Sequence, residues 1–160
     1  YAPNEDAAIY FLHDIYPMIK SRYPETKLYL VGKNPTSRLV GVAKTANDVV
    51  ITGYVDSVYP YILGATVYIS PLRFGTGVKN KVLEAMKCCT PSVFSPVSIE
   101  AISEVAPGEN CFVASTTEEW IERVSTLLND ASLRNAFRDK LSQVFDGRRS
   151  WAVALERLLS

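Results

Sequence analysis

The chain has 160 residues, of which 48% are apolar, so it can bury a sizeable hydrophobic core and does not have a disordered composition. Its 17 cations balance 17 anions, and this zero net charge disfavours nucleic-acid binding, which usually needs a basic excess. The longest nearly apolar stretch, residues 59–72, contains two prolines and is too short to span a membrane, and no signal peptide is evident.

The few sulfur and imidazole side chains do not form a recognisable site. The three cysteines have neither an even disulfide framework nor metal-ligand spacing, so reduced thiols in a cytosolic setting are expected at Cys88, Cys89 and Cys111. His13 is the only histidine, and its helical surroundings favour a helix-surface or core-edge position over a catalytic role.

The first part of the chain alternates helical and strand patterns. Apolar residues recur at helical spacing from Ala7 to Met18, and Asn4 is predicted to cap this helix, with Glu5 and Asp6 in its first turn. Further along, short helices are predicted at 37–46 and 56–64, and strands at 27–32, 49–55 and 66–70.

The alternation continues to the end of the chain. A helix follows Gly75-Thr76-Gly77, and then come a strand at 92–94, a helix at 99–105 and a strand at 111–114. Three amphipathic helices are predicted at 116–128, 131–145 and 150–159, the first opening on a capping box; residues 147–149 are the only candidate hinge. The pattern predicts one α/β domain over residues 1–160, a Rossmann-like three-layer α/β/α arrangement with a parallel sheet.

The stretch FGTGVKNKVLEAM, Phe74 to Met86, carries the strongest chemical signal. It follows a strand, and ligands of open α/β sheets bind at the carboxyl ends of strands. Glycines at 75 and 77 let the backbone approach a ligand closely. The free N–H groups near Thr76, Gly77 and Val78, at the mouth of the predicted helix, attract anions and phosphate above all. Positive charge nearby comes from Arg73, Lys79 and Lys81.

Helical geometry separates two faces of this segment. The face expected to pack on the sheet carries Val78, Val82, Ala85 and Met86. Glu84 lies on another face, about 10 Å along the axis from Gly77, which resembles the span from a diphosphate to a ribose. The alternative is a simple turn followed by a solvated salt-bridge face, since neither the Walker spacing nor G-x-G-x-x-G is present.

These residues make a family resemblance visible. The chain resembles the C-terminal, donor-binding domain of a retaining glycosyltransferase of the GT-B fold, family 4, also described as glycosyl transferases group 1. The matching segments, in order, are YAPNEDAAIYF, LYLVG, GYVDSVYPYILGATVYISPLRFGTGVKNKVLEAM, PSVFS and NCFVASTTEEWIERVSTLLND, and RRSW resembles the family's terminal Ser-Trp.

The resemblance implies roles for individual residues. Glu84 matches the glutamate that binds the ribose hydroxyls of a nucleotide-sugar donor. The residues placed at the donor diphosphate are Arg73, Thr76, Gly77, Val78 and Lys81. Gly32 and Lys33 match the glycine-containing loop after the second family strand, and Tyr54 and Val55 match the loop beside the nucleobase. No catalytic residue is assigned, because the acceptor domain is absent, and no metal is expected.

The resemblance also implies substrates and partners. The donor is expected to be a UDP- or GDP-linked sugar, no other cofactor is expected, and the reaction is that of a hexosyltransferase in polysaccharide or lipopolysaccharide assembly. A complete enzyme has a second, N-terminal domain for the acceptor, and the donor domain's own first strand would precede Tyr1. We therefore expect five strands rather than six, or a rearrangement that fills the gap, and little or no sugar transfer by the fragment. A cytoplasmic location is expected, with peripheral membrane association of the full-length enzyme at the inner face.

Two departures and two alternatives remain open. Many family members carry an acid eight residues before the ribose-binding glutamate, where this chain has Thr76, and usually a glycine where it has Cys89. One alternative function is a nucleotide-sugar epimerase domain of the same fold. The other is a non-enzymatic α/β interaction module; a receiver-like module would need clustered aspartates at strand ends, which the sequence lacks.

Overall fold

The computed structural model describes residues 1–145 as alternating helices and parallel strands. The helices are α1 (Ala2–Tyr10), α2 (Tyr16–Arg22), α3 (Ser37–Ala43), α4 (Tyr59–Gly64), α5 (Asn80–Lys87), α6 (Pro96–Ile99), α7 (Thr117–Asn129) and α8 (Ala131–Phe145). The strands are β1 (Leu28–Val31), β2 (Val49–Gly53), β3 (Tyr68–Ser70), β4 (Ser92–Phe94) and β5 (Phe112–Val113). The predicted helix at 150–159, the hinge at 147–149 and the Ser-Trp match lie outside the described residues.

The first helix begins earlier than the sequence predicted. It starts at Ala2 with Tyr1 as its N-cap, so the prediction that Asn4 caps the helix is wrong. Pro3 lies in the first turn, where its fixed φ suits the helix and its missing N–H leaves no intrahelical bond unmade.

A wide π-helical turn, Phe11–Ile15, separates α1 from α2. Pro17 has no N–H to bond the carbonyl of His13, which favours a departure from α-helical bonding just before it. The extra residue in the turn rotates the following side chains by about 100°. As a result Ile19 is buried, whereas Met18, predicted on the apolar face, is 46% exposed.

The described strands number five, as predicted, but they form two sheets instead of one. β1 pairs in parallel with β2, from Leu28 opposite Val49 to Val31 opposite Gly53. β3, β4 and β5 form a second parallel sheet, with β4 in the centre. No strand of the described part of the chain bonds to both sheets, so the gap that we expected from a five-strand count is not filled.

The two sheets nevertheless share a core, and β4 shows the three layers most clearly. Its neighbouring residues Val93 and Phe94 are both fully buried but belong to different apolar clusters, because successive side chains of a strand point to opposite faces. Helices α1, α2, α3 and α7 contribute to the Val93 cluster, and α5 contributes to the Phe94 cluster. This is the α/β/α arrangement that the sequence pattern predicted.

Capping residues explain where two later helices begin. The Thr116 hydroxyl accepts a hydrogen bond from the Glu119 backbone N–H and the Glu119 carboxylate accepts one from the Thr116 N–H, so the predicted capping box is present. The helix predicted at 99–105 is instead the short α6, because the Ser95 hydroxyl caps the Ser98 N–H and Pro96 occupies the first turn.

Cys89, two residues after the end of helix α5, has a backbone conformation that normally belongs to glycine. The Cys89 N–H donates to the Met86 carbonyl and the Thr90 N–H to the Ala85 carbonyl, the bonds of a Schellman motif. This geometry requires left-handed backbone, and Cys89 has φ +55°. Cys89 is only 2% exposed and burial raises the pKa of the thiol, so Cys89 is a small core residue.

We predict that Cys89→Gly is about 1 kcal/mol more stable than Cys89→Ala, because glycine adopts left-handed backbone without a Cβ clash. Both variants lose the same buried sulfur but only glycine also loses the buried Cβ, so chemical denaturation of the pair measures the backbone term minus the packing of one methyl group, which the control pair estimates separately. The control pair is Cys111→Gly and Cys111→Ala, at a buried position without positive φ, where alanine should be the more stable. Equal stability of the two Cys89 variants would contradict the prediction.

Candidate functional site

Two adjacent acidic residues near the start of α1 bring two strand-end loops to one edge of the molecule. The Thr36 hydroxyl, in the loop after β1, donates to the Glu5 carboxylate at 2.7 Å. Arg73, in the loop after β3, donates to the neighbouring Asp6. Because Glu5 and Asp6 are adjacent, the carboxyl ends of β1 and β3 lie on the same side, where ligands of parallel α/β sheets bind.

The loop after β3 is anchored at its start and exposed along most of its length. Pro71 and Leu72 are buried, whereas all but Gly75 of residues 73–78 are exposed. Gly75 has φ +125° and Gly77 φ +81°, values that disfavour any residue with a Cβ. A Cβ built on Gly75 would lie 3.6 Å from the Tyr1 hydroxyl, so the loop also lies against the start of α1.

Helix α5 starts two residues later than the sequence predicted, since a helix was expected directly after Gly77. Its first residue is Asn80 and its N-cap is Lys79, so the amides near Thr76, Gly77 and Val78 belong to the loop and not to the first helical turn. The positive φ of Gly77 is incompatible with an α-helix and delays the start. The Lys79 ammonium donates to the Gly77 carbonyl at 2.7 Å and restrains this part of the loop.

One face of α5 is buried as predicted, with one exception. Val82, Ala85 and Met86 are all at most 1% exposed. Val78 is 53% exposed, so the prediction that it shares this buried face is wrong, because it precedes the helix and does not follow its periodicity.

Arg73 is the most constrained cation of the loop. Its Nε donates to Oδ2 of Asp6 at 2.8 Å and its Nη2 to Oδ1 at 2.6 Å, a two-point ion pair. The guanidinium also lies 4.8 Å from the centre of the Tyr10 ring, within cation–π range. The hydrogen bond from Arg73, and its charge, hold the pKa of Asp6 below its ordinary value, with a smaller contribution from Arg38.

The two remaining charged candidates lie on α5. Glu84 is half-buried, about 6 Å along the helix axis from Asn80, and Lys81 is exposed one turn nearer the loop. Burial and the neighbouring Glu84 carboxylate together raise the pKa of the Tyr68 phenol on β3. Glu84 therefore lies beside the β3–β4–β5 sheet, on the helix that continues the glycine-containing loop.

A serine cluster braces the ends of β3 and β4 below this loop. The Ser98 hydroxyl, fully buried, donates to the Ser70 carbonyl at 2.7 Å and lies 2.9 Å from the Ser95 hydroxyl. The Ser95 N–H donates to the same Ser70 carbonyl at 3.0 Å. These bonds fix the residue from which the exposed loop departs.

The candidate nucleobase loops lie together at the ends of β1 and β2. Gly32 bridges Gly53 in antiparallel fashion, and the Gly32 N–H donates to the Thr52 hydroxyl at 3.4 Å. β2 ends at Gly53 with φ +67°, two residues before the predicted end at Val55. Tyr54 is 73% exposed, Lys33 is exposed and Val55 is half-buried.

The sequence placed the predicted site residues in two groups, and the structure shows a link between them that the sequence did not reveal. That link consists of Glu5, Asp6 and Tyr10 on the first helix. The sequence assigned Glu5 and Asp6 only to the dipole of α1, since nothing local indicates partners 31 and 67 residues away. Within residues 1–145, no group of three or more His, Cys, Asp or Glu side chains is placed to hold a metal ion. None of the helices described is long and apolar enough to cross a bilayer.

Comparison with protein families identifies the group to which this chain is related. The model for "Glycosyl transferases group 1" matches residues 1–130, which include both strand-end loops and all of α5. The chain belongs to the glycosyl transferases group 1 family. Among curated proteins, none matches the sequence.

Solved structures show the same fold for this glycosyl transferases group 1 chain. HepE from Anabaena, solved in complex with UDP, superposes with a TM-score of 0.70 at 18% identity, over 91% of this chain and 44% of HepE. WaaG, a glycosyltransferase involved in lipopolysaccharide biosynthesis, gives 0.71 at 17% identity, over 95% of this chain and 41% of WaaG. Sucrose-phosphate synthase from Thermosynechococcus elongatus gives 0.67 at 20% identity, over 96% and 42% of the two chains. The chain thus has the Rossmann-like GT-B fold and spans less than half the length of these structures.

We predict that Asp6→Asn makes the stability of the protein less dependent on pH in the acidic range. The pKa of Asp6 is depressed in the folded state, so its stabilising contribution is complete above the unfolded value near 3.8 and is lost as pH falls through the lower folded value. The difference in thermal midpoint between wild type and Asp6→Asn should be constant above about pH 5 and shrink below about pH 4. A difference that stays constant or grows with acidification would contradict this assignment.

Proposed function

We propose that the chain is the nucleotide-sugar donor-binding domain of a retaining glycosyltransferase of the hexosyltransferase class. The observation that carries this proposal is the exposed loop at 73–78, whose two glycines have left-handed backbone at the carboxyl edge of a parallel sheet. Such a loop presents backbone N–H groups to a ligand, and the adjoining start of α5 adds the positive end of a helix dipole. Family membership supports the same function.

The proposed donor lies across the two groups of loops. Its diphosphate is bound by the loop amides of Thr76, Gly77 and Val78 and by the cations Arg73 and Lys81. Its ribose is bound by Glu84, whose carboxylate can accept hydrogen bonds from two hydroxyls. Its base lies beside the loops that contain Gly32, Lys33, Tyr54 and Val55, which the Gly32–Gly53 bridge holds together.

The chemical role proposed for this arrangement is to stabilise the leaving group, which is the donor's diphosphate. When the glycosidic bond to the donor diphosphate breaks, negative charge grows on the phosphate oxygens. Fixed N–H groups and cations at that position stabilise the transition state more than the ground state, which is the requirement for catalysis. These groups do not need a bound metal to supply positive charge, and the donor itself is a substrate and not a cofactor.

The rest of the proposed enzyme lies in other parts of the protein. We propose a second, N-terminal domain that binds the acceptor, so residues 1–160 alone bind nucleotide and transfer little or no sugar. We further propose a UDP- or GDP-linked donor and a role in polysaccharide or lipopolysaccharide assembly, at the cytoplasmic side of the membrane with peripheral association. The UDP bound to HepE and the process named for WaaG support these choices by analogy of fold.

Calorimetric titration with UDP, GDP and ADP tests the donor site. We expect at least one of them to bind at millimolar concentration or below, and Glu84→Ala to weaken its binding at least about tenfold, since a hydrogen bond to a charged group contributes about 1.5–3 kcal/mol. Glu122→Ala, which removes an exposed glutamate from the middle of α7, is the matched control and should bind normally. Absence of binding by all three nucleotides would overturn the proposal.

A pair of glycine variants tests the loop itself. Gly77 and Gly108 both have φ +81° and both have open space around a built Cβ, so Gly77→Ala and Gly108→Ala impose similar backbone strain, about 1–2 kcal/mol. Gly108 precedes β5 and therefore lies toward the amino ends of the strands, away from the loop. We expect a similar loss of thermal stability in both variants but weaker nucleotide binding only in Gly77→Ala. Equal nucleotide affinity of the two variants would show that the loop backbone does not contact the ligand.

A further inference from the structure

We infer that Asp6 is a positioning residue for the donor site, which holds the Arg73 guanidinium in the orientation that receives a diphosphate. This inference rests on the proposed function and extends it to a residue on a different segment of the chain. Three observations support it: the two-point geometry of the Asp6–Arg73 pair, the position of Arg73 over the Tyr10 ring, and the exposure of Arg73.

The geometry of the pair leaves part of the guanidinium available. A guanidinium has five N–H groups in one plane, and Asp6 accepts from Nε and from one hydrogen of Nη2. Both hydrogens of Nη1 and the second hydrogen of Nη2 therefore point away from the carboxylate. The Arg73 side chain is 54% exposed, so these three donors can reach a ligand at the same edge.

The orientation is fixed by more than the carboxylate. Tyr10 covers one face of the guanidinium at 4.8 Å, and its hydroxyl lies 3.1 Å from the Thr117 hydroxyl on α7. Asp6 is better shielded than its partner, with a side chain 27% exposed. The support for Arg73 thus comes from helices packed in the core, whereas the arginine itself lies on an exposed loop.

A carboxylate beside a proposed anion site has two opposing effects. It repels the incoming diphosphate, which weakens binding, and this repulsion is screened because the site is open to solvent. It also removes the rotamer freedom of a long side chain before the ligand arrives, which strengthens binding. We infer that the second effect is larger, since the two hydrogen bonds to Asp6 and the Tyr10 ring together restrain the position and orientation of the guanidinium.

The nucleotide affinity of an Asp6→Asn variant decides between the two effects. If repulsion is larger, the variant binds more tightly than wild type; if the loss of rotamer freedom is larger, it binds more weakly. With Asp6 as a positioning residue, Asp6→Asn binds UDP about fivefold more weakly than wild type, and Asp6→Glu recovers part of the loss. With Asp6 as a mere competitor for Arg73, Asp6→Asn binds UDP more tightly, which overturns the inference. Unchanged affinity overturns it as well.

The same substitution in an Arg73→Met background shows whether Asp6 acts through Arg73. We expect Asp6→Asn to weaken UDP binding in the wild-type background and to leave it unchanged or slightly tighter in Arg73→Met. An equal loss in both backgrounds overturns the inference, because a purely structural effect of Asp6 would not depend on Arg73.

The matched control is Asp48→Asn, at a carboxylate that pairs with Lys20 just before β2, at the amino ends of the strands. It removes an ion pair of the same type and should leave UDP affinity unchanged, while thermal unfolding of all variants confirms that they fold. If wild type binds none of UDP, GDP and ADP, the proposed function and this inference both fall. If wild type binds and Glu84→Ala weakens binding but Asp6→Asn does not, only this inference falls.

Discussion

The ion pair between Asp6 and Arg73 joins the first helix to an exposed loop 67 residues further along the chain. That loop has no regular secondary structure, and two of its residues are glycines with left-handed backbone, so local bonds alone do not determine its shape. Contacts with residues outside the loop must therefore determine its shape. Asp6 and Tyr10 hold the arginine, Tyr1 and Pro3 lie against Gly75, and the neighbouring Glu5 bonds the loop after β1. Helix α1 thereby sets the spacing between two loops proposed to bind opposite ends of one ligand.

Below the loops, hydrogen bonds between buried polar groups hold the ends of strands and helices together. Ser98 and Ser95 both bond the carbonyl of Ser70, so the ends of β3 and β4 are tied together where the exposed loop begins. Thr90, also buried, donates its hydroxyl hydrogen to the Ile62 carbonyl and ties the end of α5 to α4. Buried hydroxyls that have partners add order without leaving unpaired groups, and this order is what an exposed, glycine-containing loop requires.

The sequence predicted those features whose causes are local. Strand β4 has its predicted bounds, helix α8 begins at its predicted first residue, and the capping box at Thr116 follows from residues three apart. The buried face of α5 follows from helical periodicity, which fails only at Val78, because the positive φ of Gly77 delays the start of the helix beyond that residue.

What the sequence could not predict depends on distant partners or on small backbone changes. Nothing near Asp6 indicates that its partner is Arg73. Pro17 favours a departure from α-helical bonding, but it does not by itself specify the widened turn after which Met18 is exposed. The left-handed backbone of Cys89 contradicts the usual preference for glycine, although the family pattern, which has glycine there, was a usable signal. The assignment of individual residues to diphosphate, ribose and base remains a prediction that binding measurements must test.

The division of the strands into two sheets increases the number of strands that lie at the edge of a sheet. A continuous sheet of five strands has two edge strands, whereas here β1, β2, β3 and β5 are all edge strands within the described chain. Each such edge carries backbone donors and acceptors that another extended segment could pair with, which in many proteins leads to self-association. These edges are only two to five residues long, and a short edge offers few bonds to a stray partner.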